Sequence, residues 1–114
     1  MYAVIFEVWP TVQGQDEYLK IAAELREFLE SRDGFISIER FQSMADESKI
    51  LSLSFWRDEA AIAQWRNLSD HRTAQQLGRK RLFDAYRIRV ANVVRDYTQS
   101  DRSQAPADSQ TVIG

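Results

Sequence analysis

The sequence predicts a ferredoxin-like α+β fold, in which four antiparallel strands and two helices follow one another as β-α-β-β-α-β. Three observations predict it. Apolar residues alternate with period two over Tyr2–Trp9, Phe35–Met44, Ile50–Trp56 and Tyr86–Tyr97. Between them, the stretches opening at Asp16 and Asp58 carry apolar residues at helical spacing. Turn residues punctuate each change of period: Pro10 and Gly14, Asp33-Gly34, and Asp46-Glu47-Ser48.

The first strand places Tyr2, Val4, Phe6 and Val8 on one face and Ala3, Ile5, Glu7 and Trp9 on the other. Both faces are apolar apart from Glu7. The first helix carries Tyr18, Ile21, Ala22, Leu25, Phe28 and Leu29 in steps of three, four and seven, with Lys20, Glu24, Glu27 and Glu30 toward water. Gly34 supplies a left-handed stop. The second and third strands, Phe35–Met44 and Ile50–Trp56, form a hairpin. In the third, Leu51, Leu53 and Phe55 alternate with Ser52 and Ser54.

At Asp58 the period changes again. Its carboxylate is a good N-cap for a short helix bearing Ala61, Ile62 and Trp65. A break is expected near Leu68-Ser69, after which Ser69 caps a further segment carrying Ala74, Leu77 and Leu82. The last strand alternates Ile88, Val90 and Val94 with Arg87, Arg89 and Arg95. Residues 1–98 thus make one domain. Residues 99–114 are a polar tail in which only Val112 and Ile113 are strongly apolar, either a flexible end or an arm that docks elsewhere.

Two helices cover one side of such a sheet, and a wet second face should be polar. The apolar residues on both faces of the first two strands therefore call for a second copy, and a homodimer is expected. Composition narrows the rest. With 15 basic and 17 acidic residues the net charge is −2, which argues against nucleic acid as a partner. The triplet Arg79-Lys80-Arg81 reads as a solvated helix end. The absence of cysteine excludes a disulfide framework or thiolate metal site, and fits a reducing, cytoplasmic setting. No segment has the apolar length to span a membrane, and the N-terminus lacks the pattern of a signal peptide.

The strand ending in Phe55-Trp56, the turn Arg57-Asp58-Glu59-Ala60, and Trp65 and His71 within WRNLSDH resemble the antibiotic biosynthesis monooxygenase (ABM) domain family. The similarity continues into Tyr86-Arg87-Ile88-Arg89-Val90 and covers residues 1–98. It implies a dimeric α+β barrel, two ferredoxin-like sheets face to face. One branch of that family oxygenates phenolic or quinol substrates with O₂, without metal, flavin or haem. Another binds and degrades haem, using an Asn on the first strand, a Trp on the second helix and a His beyond it as haem ligand. Glu7 stands where that Asn would be and Trp65 matches the Trp, while His71 follows sooner than the ligating His. An Asn amide donates a hydrogen bond, whereas an ionised Glu only accepts.

The candidate catalytic residues are therefore His71, Trp65 and Glu7. His71, the single histidine, can serve as a base at neutral pH, or can be an exposed residue in a helix's first turn. Trp65 is a core residue or a pocket wall. Glu7 either faces a cavity or pairs with Arg87, Arg89 or Arg95. On one continuous helix six residues span about 600°, so Trp65 and His71 converge only if the helix breaks between them. The expected activity is a cofactor-independent oxygenation of a small aromatic ligand (phenolic, quinol or anthrone-like). The alternatives are a haem-binding, haem-degrading enzyme and a dimeric binding protein without catalysis. Whether Glu7, Trp65 and His71 line one cavity separates them.

Overall fold

A computed structural model describes residues 1–77 and 82–110, without the side chains of residues 74–77 and 110. The Arg79-Lys80-Arg81 triplet, the Ala74 and Leu77 side chains, and Val112 and Ile113 lie outside the described residues. The elements are β1 (Tyr2–Pro10), α1 (Gln15–Glu30), β2 (Phe35–Gln42), β3 (Ile50–Trp56), α2 (Glu59–Leu77), β4 (Phe83–Asn92) and a short α3 (Ala107–Gln110). The four strands form one sheet in the order β2-β3-β1-β4, every pair antiparallel. This is the ferredoxin-like arrangement the sequence predicts, and β2 and β3 form the expected hairpin.

The boundaries that differ most are those of the last strand. β4 begins three residues earlier than expected and ends at Asn92 rather than Tyr97. Its ladder with β1 runs from Pro10–Phe83 to Tyr2–Asn92, and the Val93 N–H to Met1 carbonyl bond (2.9 Å) is the last rung. The second helix is not broken: α2 runs without interruption from Glu59 to Leu77. It contains neither glycine nor proline, and Ser69 does not cap a new helix. Its hydroxyl donates instead to the Arg66 carbonyl one turn back (3.1 Å), a bond a mid-helix serine can make without ending the helix. The other expected cap is present, with Asp58 Oδ1 accepting from the Ala61 N–H at 2.9 Å.

Residues opposite one another in an antiparallel sheet share a face. The register therefore sorts the side chains into rows. Arg40–Ser52–Phe6–Ile88 and Ile38–Ser54–Val4–Val90 lie on the helix side. Phe41–Leu51–Glu7–Arg87 and Glu39–Leu53–Ile5–Arg89 lie on the other. β3 thus turns its serines inward, each only 6% exposed, and its leucines and Phe55 toward the helix-free face.

The core under the helices divides in two. One cluster joins Val8, Tyr18, Ile50 and Leu82, with Phe6 and Phe83 against it. The other joins Leu29, Trp56, Ala61 and Ile62, with Tyr2, Val4, Phe35, Ile38 and Trp65 against it. Among the described residues no helix is long and apolar enough to cross a membrane.

The link from α1 to β2 turns on Gly34, whose φ is +85°. Its carbonyl accepts from the Arg57 N–H (2.8 Å), and a Cβ there would stand 2.6 Å from Cβ of Ala61. Left-handed backbone costs an L-residue about 1–2 kcal/mol, and overpacking against a buried helix residue costs a similar amount or more. Gly34→Ala is therefore expected to lower unfolding free energy by about 2–4 kcal/mol in a urea titration; a change within experimental error would contradict the tight packing at this turn.

Candidate functional site

A cavity of about 280 Å³ lies between the two core clusters, under α1 and α2 and over the sheet. Its floor is the two helix-side rows, centred on Ser52 and Ser54. Larger residues there would fill the space; two serines leave it open. Ser54 Oγ is occupied, accepting from the indole N–H of Trp56 at 2.9 Å. Tyr18, Phe83 and Phe6 stand at one end, Trp56 and Trp65 at the other. The two indoles are 6.5 Å apart and tilted by 31°. Most of the lining is apolar, with a few polar groups set into it, the composition expected of a small-molecule site.

The continuity of α2 decides which side chains face this space. The helix presents Ile62, Trp65, Arg66, Ser69, Asp70 and Thr73 to the cavity, one stripe at steps of one, three and four. His71, about 100° further round the helix than Asp70, is exposed and is not part of the lining. Trp65 lies in the wall. The structure therefore brings Trp65 to the cavity without His71, and Asp70, itself exposed, joins the lining instead. No feature of composition singles out Asp70; the phase of an unbroken helix does.

Glu7 lies on the opposite face of the sheet. Lys49 pairs with one of its carboxylate oxygens and Arg89 Nη1 with the other (2.5 Å). Arg89 was among the partners expected for a paired Glu7; Lys49 comes from the end of the β2–β3 hairpin, where its ammonium also lies 5.2 Å from the Trp9 ring. Arg40, which sequence reasoning passed over, is the cationic member of the cavity floor. Its parity with Ile38 along β2 was the available signal.

The fold and the cavity together define a ferredoxin-like domain with an apolar cavity under its helices, and comparison with known proteins places it. The chain belongs to the antibiotic biosynthesis monooxygenase family, whose profile matches residues 1–77. It is 43% identical over 112 residues to a protein of Pyricularia oryzae named jasmonate monooxygenase, covering 98% of this chain and 50% of that one. It is also 28% identical over 96 residues to an uncharacterised Bacillus subtilis protein, YqjZ, covering 82% and 80%. The chain thus spans about half the length of the fungal relative. Among solved structures, Rv0793 of Mycobacterium tuberculosis has a TM-score of 0.71 at 15% identity, covering 85% of this chain and 98% of that one. A MhuD variant with two manganese protoporphyrin IX molecules bound per active site has a TM-score of 0.70 at 15% identity, covering 86% and 99%. At such identities these structures share the fold.

Hydrogen bonding from Lys49, joined by Arg89, holds the Glu7 carboxyl below its ordinary value of 4.5, against the opposing effect of burial. A carboxylate with a depressed folded pKa stabilises the fold above its unfolded pKa, and the contribution is lost as pH falls through the folded value. Denaturation midpoints are therefore expected to drop as pH is lowered below about 4.5. Glu7→Gln should flatten part of that dependence, and an unchanged pH profile would contradict the pairing.

Proposed function

We propose that this protein is a monooxygenase that holds a small, largely apolar ring substrate in the cavity under α2 and oxygenates it with O₂. The cavity between the two core clusters carries this reading. Its 280 Å³ stands at the lower end of small-molecule pockets, about 300–1,000 Å³, which suits a small ring compound. Family membership supports the reaction class. The name of the Pyricularia oryzae relative, a jasmonate monooxygenase, supports a compact ring substrate.

The chemistry follows from what the wall offers. In cofactor-free oxygenation the substrate supplies the electrons. Loss of a proton from an acidic phenol or activated CH₂ leaves an anion that passes an electron to O₂. Recombination and loss of water then convert CH₂ and O₂ to C=O and H₂O, so one oxygen atom enters the product. Asp70 is the acidic residue of the cavity lining and takes the role of proton acceptor; Trp65 and Trp56 give flat apolar surface for the ring. The haem-degrading branch that the sequence resembles holds its iron through a histidine. The single histidine, His71, is off the lining, so the residues present do not fit haem ligation by histidine within this cavity.

The active form in this proposal is a homodimer joined through the helix-free faces, the family's α+β barrel. Ala3, Ile5, Leu51, Leu53 and Phe55 lie there, not covered by either long helix. Glu7, neutralised by Lys49 and Arg89, is compatible with burial in such an interface. Sedimentation at micromolar concentration should show a species of twice 13.3 kDa, since interfaces of this kind bury upward of about 2,000 Å²; a 13.3 kDa species alone contradicts the dimer.

Oxygen uptake tests the reaction. With a panel of quinols and anthrones, the purified protein should consume O₂ in proportion to product. Asp70→Asn should lower kcat by roughly 10²–10⁴-fold, the usual worth of a general base, with His71→Ala close to wild type. The reverse order would return the base to His71. Binding of these compounds without O₂ uptake would leave a non-catalytic binding protein.

A further inference from the structure

Arg40 sits on the cavity floor, on edge strand β2 and opposite buried Ser52. Its Nε is shielded from solvent and has no hydrogen-bond partner among the described residues. Leaving a buried donor unmade costs more than a typical hydrogen bond contributes, most of all for a charged group. Among the described residues the guanidinium has no ion pair either, whereas Arg26, Arg57 and Arg89 each meet a carboxylate. Arg72 Nε is also buried without a partner, but that guanidinium lies outside the cavity lining, stacked on the Phe28 ring at 3.9 Å. Arg40 thus brings to the wall of an apolar cavity a guanidinium that no carboxylate among the described residues meets. A flat fork of N–H donors matches the paired oxygens of a carboxylate or a phosphate, and the carboxylate is the smaller of the two to admit beside a ring in about 280 Å³.

We propose that Arg40 is the anchor for a carboxylate on the substrate, so that the cavity takes an apolar ring bearing an acidic side chain. The proposal rests on the cavity being the substrate site and adds the polarity of what enters it. The ring lies toward Trp56 and Trp65, over the Ser52–Ser54 floor, and the acid end lies at β2. The serine floor leaves room for the ring, and the arginine fixes which way round it sits.

Calorimetric titration with 4-cyclohexylbutanoate and with its methyl ester tests this. Wild-type protein should bind the acid about 10- to 100-fold more tightly than the ester, the scale of a charge-assisted hydrogen bond. Arg40→Gln should abolish that preference by weakening the acid alone, and Arg40→Lys should restore part of it. Because Nε has no partner to lose, Arg40→Gln should melt at or above the wild-type temperature, whereas a structural arginine would give a clear fall. Equal binding of acid and ester, or equal weakening of both by Arg40→Gln, overturns the anchor while leaving the cavity as a binding site. Failure of wild-type protein to bind either compound overturns the anchor and the site together.

Discussion

Everything distinctive here depends on which way β3 faces. A central strand flanked by strands on both sides has one face for the helices and one for whatever lies opposite. β3 gives the helices Ile50, Ser52, Ser54 and Trp56, and gives the other face Leu51, Leu53 and Phe55. Had the leucines turned inward, they would have filled the space under α1 and α2, and the core would be continuous. With serines there, it separates into a cluster around Val8 and Tyr18 and a cluster around Trp56 and Ile62, with about 280 Å³ between them. The same choice leaves an apolar surface on the far side. Cavity and proposed dimer face are two consequences of one register.

Electrostatics divides along the same plane. On the helix-free face Glu7 is met by Lys49 and Arg89, so its charge is balanced within the chain. At the strand-to-helix corner, Arg57 bridges Asp33 and Asp58 while Asp58 caps α2, which fixes the phase at which α2 begins. That phase carries along the helix and determines that Trp65, Arg66 and Asp70 meet the cavity. Inside, Arg40 meets no carboxylate among the described residues, and its buried Nε has no partner there. That is the feature on which the proposed carboxylate anchor rests.

The fold was legible because each element announced its period. Alternation in β1 and β3, the stripe of α1 and the cap at Asp58 each placed an element to within a few residues. Gly34 marked a turn that does need a left-handed residue. The site was less legible, for reasons of phase. Ser69 looks like a cap in sequence, but a serine within a helix can bond one turn back, as it does to Arg66. Treating it as a break allowed His71 to swing toward Trp65; an unbroken helix sends Asp70 there. β1 has apolar residues on both faces, so alternation alone does not say which face the helices cover. That ambiguity hid the role of the serines and of Arg40, and left Glu7 open between pair and pocket until the register placed it.

The most direct test is to fill the cavity from its floor. Ser52→Leu places a large apolar side chain where Ser52 now meets Phe6 and Arg40 along its row. If the serine floor creates the substrate site, titration of this variant with a ligand that wild-type protein binds should show no binding, while its thermal unfolding stays cooperative and near the wild-type temperature. Retained binding at wild-type affinity, with the leucine accommodated, would contradict the account.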